Sequence, residues 1–334
     1  MKILIISDLT DRQINGVVTT FQNTIKELRK RGYTVNELNA DMFKNIPCPG
    51  YREIRLSFVT PGMIGKRIEA LNPDYIHIAT EGPIGVAARA YLKSLNDKWS
   101  SSFHTKFGEF IEAKIGFGSN LVWKFMRWCY KDDAFILTTT QSMKEELIER
   151  GFIGDRVRTW SRGVDTEIFK PKIAPPEETT LVNVGRVSIE KGLEDFYQLS
   201  IPGRKIQVGE GPELEIYKKK YPDVEFVGSK RGTELAEYYR NASVMVFPSK
   251  ADTFGVVIIE AMRTGTPVAA YPVTGPIDII QNGKNGFMDE NLETAVKECL
   301  NINRQSVMYH SKQFNWKEAT DKFVSALVPR KLDQ

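Results

Sequence analysis

The chain has 334 residues and a mass of 38.0 kDa, about twice the length of a typical single domain, so two domains of similar size are expected. Its composition, 41% hydrophobic and 26% charged, excludes a disordered, collagen-like or fibrous chain. The formal net charge of +4 is spread along the sequence without a long block of lysine and arginine, which argues against a dedicated nucleic-acid binder.

The cysteines and the N-terminal residues indicate a cellular compartment. Cys48, Cys129 and Cys299 are odd in number and lie too far apart for a paired metal-ligand motif, which predicts a reducing compartment and no structural zinc. The apolar run at residues 1–7 is too short for the core of a signal peptide, and no stretch approaches about 20 apolar residues. We therefore expect a cytoplasmic protein without a membrane span.

The first half of the sequence alternates short apolar runs with amphipathic segments. KILIIS is suited to a strand buried on both faces, and the helix predicted after it carries Phe21, Ile25 and Leu28 at helical spacing. Further strands are predicted at residues 35–38, 75–79, 101–104 and 135–138, and further helices near 83–95, 106–130 and 141–150. Such alternation predicts a mostly parallel sheet with helices on both faces.

A second unit of the same kind is predicted after a proline-rich stretch. Three prolines fall between Pro171 and Pro176, which favours an interdomain linker. The runs LVNVG, KIQVG, VEFVG, VMVFP and PVAAY then alternate with helical segments. The prediction is an α/β protein with two Rossmann-like, doubly wound parallel-sheet domains that face each other across a cleft. The predicted domains are 1–170, with a C-terminal helix at 315–334 packing back on it, and 171–314.

Residues 249–268 contain the most informative pattern, a turn after VMVFP followed by a helix whose first turn lies near residues 254–256. The N–H groups at a helix start bind phosphate, and Gly255 lets a ligand approach the backbone. Asp252 and Glu260 are eight positions apart, so both carboxylates can accept hydrogen bonds from the hydroxyls of one ligand. Asp252 has a second interpretation, as the N-cap of the helix.

This stretch resembles the signature of the family-4 glycosyltransferases, which are retaining enzymes of the GT-B architecture. That signature is Glu, seven residues and Glu, with Phe-Gly after the first Glu and Glu-Ala-Met-Ala-x-Gly-x-Pro-Val from the second. Here Phe254, Gly255 and Glu260 match, whereas Asp252 and Arg263 depart from it. The resemblance covers essentially the whole chain and is closest to bacterial mannosyl- and glucosyltransferases.

The resemblance implies roles for residues in both halves of the chain. Arg186 and Lys191 match the cations that hold the donor diphosphate, which are needed because the family has no Asp-x-Asp metal site. His104 matches the active-site His near the transferred sugar, and Asn15-Gly16-Val17 matches a Gly-Gly loop whose amides approach the diphosphate. Arg162 stands where the family usually has Asn before Gly-Val-Asp. The implied catalytic residues are His104, Arg186, Lys191, Asp252 and Glu260. The implied donor-binding residues are Gly16, Arg186, Lys191, Gly228, Ser229, Lys230, Arg231, Phe254, Gly255, Val256 and Glu260.

The implied function is the transfer of a hexose, with retention, from a nucleoside diphosphate sugar to a hydroxyl of a glycan or lipid-linked acceptor. GDP-mannose is the first choice of donor and UDP-glucose the second. The nucleotide sugar is a substrate, so no tightly bound cofactor and no divalent metal are expected. Two alternatives remain open: a nucleotide-sugar epimerase of the GT-B type, and a non-catalytic sugar-binding protein.

Several other features have two interpretations each. His77 is equally compatible with a structural and a functional role, and Glu81 is either an acceptor contact or a loop acid. Asp132 and Asp133 lie in a helix-to-strand turn and are predicted to face solvent rather than bind a metal. The aromatic residues of 116–131 are interpreted first as core and second as part of an interfacial helix for peripheral membrane contact.

Overall fold

The computed structural model describes residues 1–10, 13, 16–48, 51–106, 108 and 118–331, with the backbone alone for 51–54. The described residues divide into two compact units. The first is formed by those of Met1–Thr105, Asn120–Arg162 and Trp316–Gln334. The second is formed by those of Lys106–Ser119 and Gly163–Asn315.

The first unit contains a parallel sheet and a small hairpin. Its strands are β1 (Lys2–Ile6), β2 (Thr34–Leu38), β3 (Asn45–Cys48), β4 (Tyr51–Ser57), β5 (Tyr75–Ile78), β6 (Ser100–Ser102), β7 (Phe135–Thr138) and β8 (Val157–Thr159). Within the described residues the sheet has the order β2-β1-β5-β6-β7-β8, and every pair in it is parallel. Strands β3 and β4 form a separate antiparallel hairpin that the sequence pattern did not predict.

Helices cover the sheet of the first unit. They are Gly16–Lys30, Pro61–Leu71, Pro83–Ser94, Ser119–Tyr130, Gln141–Glu149 and the C-terminal helix Trp316–Ser325. Local chemistry explains several of the starts, since Thr60 and Thr140 cap helices through their side chains and proline occupies the first turn after Thr60 and Gly82. Part of the helix predicted at 106–130 lies outside the described residues.

The C-terminal helix packs on the N-terminal unit, as predicted. Phe323 is fully buried and shares an apolar cluster with Ile3, Phe21 and Trp160. On the surface, the Arg31 guanidinium donates to Asp321 at 2.6 Å and to the Lys317 carbonyl at 2.8 Å. The helix at the end of the chain therefore completes the core of the first unit.

The second unit contains another parallel sheet. Its strands are β9 (Thr180–Val184), β10 (Arg204–Val208), β11 (Val224–Phe226), β12 (Val244–Phe247), β13 (Val268–Ala270) and β14 (Gly286–Met288). Among the described residues their order is β11-β10-β9-β12-β13-β14, all parallel. The helices are Leu193–Tyr197, Leu214–Lys220, Gly232–Arg240, Val256–Arg263, Pro276–Ile279, Leu292–Cys299 and Arg304–Ser311. Each unit is thus a doubly wound α/β domain, which confirms the predicted fold class.

The second unit begins earlier than the predicted boundary at residue 171. Val164 and Phe169 belong to its apolar core, together with Val182 and Ile258, and the Val164 amide donates to the Phe314 carbonyl. The proline-rich stretch follows this entry point, and its Lys172 amide donates to the Thr264 carbonyl. The prolines therefore mark a surface segment of the second unit rather than the linker that we predicted.

A buried charged network corrects the expectation for Asp133. Its carboxylate is fully buried and accepts hydrogen bonds from Arg89 Nη2 at 3.2 Å and from Arg89 Nε at 3.3 Å. It also accepts from Trp99 Nε1 at 2.5 Å and from the Ser101 hydroxyl. Only Asp132 lies at the surface, where it pairs with Lys93 at 2.7 Å. The prediction that both acids face solvent was wrong for Asp133. In the part of the chain that the structure describes, no helix is both long and apolar enough to cross a membrane.

Candidate functional site

The strand order of the second sheet creates a natural binding edge between β9 and β12. From β9 the chain continues to one side through β10 and β11, and it then returns to place β12 on the other side of β9. In open α/β sheets, ligands bind beyond the carboxyl ends of the strands at such a switch point. The segments that leave this point are residues 185–192 after β9 and 248–255 after β12, and they carry Arg186, Lys191 and Asp252.

Lys191 and Asp252 form an ion pair at this switch point. Lys191 Nζ lies 2.6 and 2.8 Å from the two carboxylate oxygens of Asp252, and each side chain is only about one fifth exposed. The backbones of the two segments also come close together: a Cβ added to Gly192 would lie 3.0 Å from the Pro248 carbonyl oxygen. Burial raises the pKa of Asp252, but the charge and hydrogen bonds of Lys191 outweigh it, with Ser249 assisting, so that this pKa lies below its usual value.

Gly255, rather than Asp252, is the N-cap of the helix Val256–Arg263. Its φ is +83°, and an added Cβ would lie 2.9 Å from Ile258 Cδ1 and 3.0 Å from Phe247 Cζ. No side chain accepts a cap hydrogen bond at this described helix start. The interpretation of Asp252 as the cap was therefore wrong, whereas the predicted helix start is confirmed. The amide end of the helix opens on the switch point.

Two residues of the signature differ in what they offer a ligand. Phe254 is 4% exposed and packs in the core, with its ring centroid 6.2 Å from that of Phe314, so its side chain supports the fold. Glu260 lies partly exposed in the following helix and accepts a hydrogen bond from the buried Tyr239 hydroxyl at 3.1 Å. Burial raises the pKa of Glu260 to about 7, although the Tyr239 hydrogen bond acts in the opposite direction. Glu260 can therefore carry or release a proton near neutral pH.

The loops after β9, β10 and β11 lie side by side along the same edge. The Val187 amide donates to the Glu210 carbonyl at 2.9 Å, and the Gly209 amide donates to the Gly228 carbonyl at 2.9 Å. Arg186, which is partly exposed, thus lies next to the loop of Glu210, which in turn lies beside the Gly228–Arg231 loop that the resemblance assigned to the donor. Both loops turn at glycines with positive φ, Gly209 at +135° and Gly228 at +72°.

The predicted donor-binding loop Gly228–Arg231 leads into the helix Gly232–Arg240. Ser229 is partly exposed, and Arg231 takes the N-cap position of the helix Gly232–Arg240. Lys230 Nζ is engaged with Glu234 at 2.6 Å on the outside of that helix. The second unit therefore brings the loops of Arg186, Lys191, Asp252 and Gly228–Arg231, and the helix that carries Glu260, to one edge of one sheet.

His104 and Gly16 belong to the first unit. His104 follows β6 and accepts a hydrogen bond at Nδ1 from the Arg162 guanidinium at 3.0 Å. Burial, and then the charge of Arg162, holds the pKa of His104 well below its usual value. Gly16 begins the helix Gly16–Lys30, and its carbonyl accepts from the Thr20 hydroxyl. The neighbouring Asn15 lies outside the described residues.

His77 and Glu81, which each had two interpretations, differ in their surroundings in the structure. His77 is fully buried, with Nδ1 3.0 Å from Ser100 Oγ and Nε2 3.1 Å from Ser102 Oγ, which gives it a structural role. Glu81 is 8% exposed and hydrogen-bonded to the Tyr130 hydroxyl, which also lies 2.8 Å from the Ser102 carbonyl oxygen. A tyrosine has one hydroxyl hydrogen and a carbonyl can only accept, so this arrangement favours a protonated Glu81. In agreement, burial raises the pKa of Glu81 to about 7.

Sequence reasoning missed two residues at these edges. Asp8, after β1, accepts from the Ile84 amide at 2.7 Å and the Gly85 amide at 3.3 Å, so it caps the helix Pro83–Ser94 from a distant part of the chain. Lys106 is buried two positions after His104 and helps to lower the pKa of Asp252. A charged residue directly after a predicted strand was the only available signal for either. In the described parts of the chain, no three His, Cys, Asp or Glu side chains are grouped to hold a metal ion.

Comparisons with known proteins agree with this geometry. The family model described as Glycosyltransferase Family 4 matches residues 14–168, and that described as Glycosyl transferases group 1 matches residues 178–302. Sulfoquinovosyl transferase SQD2 of Arabidopsis thaliana is 28% identical over 92% of this chain and 69% of its own length. A GDP-mannose-dependent alpha-mannosyltransferase of Corynebacterium glutamicum is 26% identical over 99% of this chain and 88% of its own.

Solved structures support the same fold. Anabaena Alr3699/HepE, in complex with UDP and glucose, superposes with a TM-score of 0.73 at 15% identity, over 97% of this chain and 98% of its own. Together, the two family models account for most of the sequence, one for each half. The chain belongs to the family-4 glycosyltransferases of the GT-B architecture, is related to bacterial mannosyl- and glucosyltransferases, and transfers a sugar from a nucleotide sugar.

Proposed function

We propose that this enzyme moves a hexose, with retention of anomeric configuration, from a nucleoside diphosphate sugar to a hydroxyl of a glycan or lipid-linked acceptor. The observation that carries the proposal is the Lys191–Asp252 ion pair at the switch point. Asp252 lies in the segment that leads into the helix Val256–Arg263, whose described start has no side-chain cap hydrogen bond. A cation and a helix N-terminus at a switch point together suit a diphosphate.

Arg186 and Lys191 act on the leaving group. As the bond between the sugar and the diphosphate stretches, negative charge accumulates on the phosphate oxygens, and fixed cations bind that charge more tightly than the ground state. Asp252 is one methylene shorter than the Glu of the family signature, and both its oxygens hold Lys191 Nζ. We therefore propose that Asp252 orients Lys191 and does not contact the sugar directly.

Glu260 and His104 complete the assignment. Glu260 accepts hydrogen bonds from hydroxyls of the donor, with Tyr239 fixing its carboxylate. His104 acts near the transferred sugar, as the resemblance implies. The acceptor approaches on the face that the nucleotide leaves, and a leaving phosphate oxygen takes its proton. The reaction requires no divalent metal, because the protein's cations neutralise the diphosphate.

GDP-mannose is the first choice of donor and UDP-glucose the second. The GDP-mannose-dependent alpha-mannosyltransferase of Corynebacterium glutamicum aligns with 99% of this chain. The solved structure of HepE with UDP and glucose supports the second choice. The reducing environment suggested by the cysteines favours a cytoplasmic site of action.

A panel of nucleotide sugars tests the function directly. Nucleotide release that depends on an added acceptor and continues in EDTA is expected. Acceptor-free isomerisation would point to the epimerase, and binding without turnover to a sugar-binding protein. Arg186→Ala should lose about 2–4 kcal/mol of transition-state stabilisation. Arg204→Ala is the matched control, because Arg204 lies at the opposite end of the sheet, on the first residue of β10, and pairs with Glu225. Equal rates for the two variants would contradict the assignment of Arg186.

We also propose that the helix Ser119–Tyr130 contacts an anionic lipid surface. Its Trp123 and Tyr130 are buried, as the core interpretation predicted, but Leu121, Phe125 and Trp128 are 71%, 41% and 53% exposed. These three recur at i, i+4 and i+7, so they form one apolar stripe, and the exposed Lys124 and Lys131 flank it. An apolar stripe beside cations suits an interface rich in negatively charged headgroups.

Vesicle binding tests this surface. The protein should sediment with phosphatidylglycerol vesicles at low salt and much less with phosphatidylcholine vesicles. Replacing Phe125 and Trp128 by Ser should abolish sedimentation. Tyr309→Ser should not, although Tyr309 is a more exposed aromatic residue on a helix of the second unit. Equal binding by all variants would exclude the Ser119–Tyr130 helix as the contact.

A further inference from the structure

His104 is held in a pocket of aromatic rings at the carboxyl end of β6. Its ring packs edge-on against Phe21, with centroids 5.4 Å apart, and against Trp160, with centroids 5.9 Å apart. Phe21 comes from the helix Gly16–Lys30, and Trp160 directly follows β8. The imidazole is therefore packed against aromatic rings, and a charged group reaches its Nδ1.

That group is Arg162. Its guanidinium is 2% exposed and donates from Nη2 to His104 Nδ1 at 3.0 Å. The guanidinium is fixed in turn, because Nη1 donates to the Trp160 carbonyl at 2.6 Å and its carbon lies 4.2 Å above the Trp160 ring. Arginine has five donors and no acceptor, so Nδ1 must present its lone pair. In a neutral ring the proton is then on Nε2, and protonation of Nδ1 would break the bond.

The electrostatic surroundings also favour the neutral ring. Burial has the largest effect on the pKa of His104, and Arg162 and His77 are the charged or titratable groups that act on it among the described residues. Burial lowers the pKa of His77 to about 3, so His77 is neutral as well. Within the described chain, no carboxylate lies at ion-pair distance from Arg162, and burial alone lowers the pKa of that guanidinium to about 9. His104 thus faces an uncompensated cation.

We propose that Arg162 is a positioning residue that holds His104 as the neutral Nε2–H tautomer, so that His104 gives the bound sugar a hydrogen-bond donor rather than a base. The role at the sugar rests on the proposed function, whereas the tautomer does not. The proposal also gives a physical reason for Arg at a position where the family usually has Asn. A side chain as long as Arg can anchor on the Trp160 carbonyl and still reach the ring.

His77 provides an internal comparison. Both of its nitrogens face serine hydroxyls, which can donate or accept, so its neighbours do not impose one tautomer. The chain contains three histidines in total. The states of all three can therefore be followed in one spectrum after assignment by single His→Gln variants.

Long-range proton–nitrogen NMR of protein labelled with ¹⁵N-histidine tests the proposal. In the wild type, His104 should show the Nε2–H pattern and no titration between about pH 5 and pH 8, around the ordinary histidine value of about 6.5. In Arg162→Met, the Nε2–H pattern should give way to a mixture of the two neutral tautomers, because the Arg162 donor to Nδ1 is removed. Burial, which has the largest effect on the pKa of His104, still holds that pKa below its ordinary value. Arg162→Lys, which keeps the charge and a donor, should retain the wild-type pattern. A proton on Nδ1 in the wild type, or an unchanged spectrum in Arg162→Met, would overturn the proposal.

The transfer assay provides a second readout that a purely structural role would not change. The kcat/KM of Arg162→Met should fall by about 10–100-fold, as for other partners that orient functional histidines. The ionisation of His104 in its pH profile should move to a higher pH than in the wild type, because the charge of Arg162 also lowers that pKa. A spectrum that changes as expected in an enzyme without transfer activity on any donor would leave the tautomer assignment intact and refute the proposed function instead. If Arg162→Met does not fold, the wild-type tautomer still decides the question.

Discussion

Replacing Asp133 by Asn should destabilise the first unit far more than the same change at its neighbour Asp132. Asp133 is fully buried and is the ion-pair partner of the buried Arg89. Trp99 and Ser101 donate to different oxygens of Asp133, and asparagine keeps only one of them, so the substitution removes the negative charge and one acceptor. What remains is a buried guanidinium that donates to the Thr80 carbonyl at 3.0 Å and lies over the Tyr130 ring.

The expected loss of stability in Asp133→Asn follows from the burial of the ion pair. Breaking a buried ion pair by removing one partner costs about 3–5 kcal/mol, because the other charge remains uncompensated in the interior. The Asp132–Lys93 pair is exposed, at 38% and 55%, and exposed pairs contribute about 0–1 kcal/mol. In a domain of 150–250 residues, 1 kcal/mol shifts Tm by about 2–4 °C, so Asp133→Asn should lower the melting of the first unit by about 6–20 °C.

Differential scanning calorimetry of the full chain measures both variants. Asp132→Asn is a matched control, since the two residues are adjacent and the chemical change is identical. A second variant, Arg89→Met with Asp133→Leu, removes both charges and should recover much of the loss, because apolar replacement of a whole buried pair is often neutral. If Asp133→Asn and Asp132→Asn melt within about 1 °C of each other, the argument from burial fails.

The remaining predictions concern pH and backbone geometry. Burial raises the pKa of Glu81 to about 7, so between about pH 4.5 and 7 the unfolded chain releases this proton and the folded chain keeps it. The stability of the protein should therefore fall as the pH rises through that window. When Tm is measured against pH, the fall should be smaller in Glu81→Gln. Gly255→Ala should lower Tm and raise the KM for the donor, because φ of +83° strains any L side chain and Cβ meets Ile258. Gly283→Ala, also at positive φ but with open space around it, should cost only the backbone strain. Tyr239→Phe removes a hydrogen bond that lowers the pKa of Glu260, so a limb of the kcat/KM profile due to Glu260 should move to higher pH.

Strand and helix positions were accessible from the sequence because their signals are local. Apolar runs such as KILII and VMVF became buried strands, and most helix starts followed capping residues or prolines within a few positions. The signature around Glu260 likewise located the helix that begins at Val256. The hairpin of β3 and β4 was not predicted because β3 contains Pro47 and shows no alternation, although Ile54 and Leu56 alternate with polar residues in β4. The unit boundary was misplaced because prolines mark a surface segment as readily as a linker.

Charge pairing was not accessible in the same way. The paired residues lie far apart in the sequence. Asp252 and Lys191 are separated by 61 positions, Asp133 and Arg89 by 44, and His104 and Arg162 by 58. Each pair forms because the strand order brings particular loops together, and no local pattern encodes that order. This is why Asp252 was interpreted partly as a cap and Asp133 as a solvated acid.

The sequence by itself therefore determined the two α/β units, the family and the residue types available for diphosphate chemistry, since periodicity and short motifs are properties of neighbouring residues. The tertiary structure alone decided that Asp252 pairs with Lys191, that Gly255 takes the N-cap position, that burial raises the pKa of Glu260 and that Arg162 donates to His104. These properties depend on burial and on contacts between distant segments, which exist only once the sheets have formed.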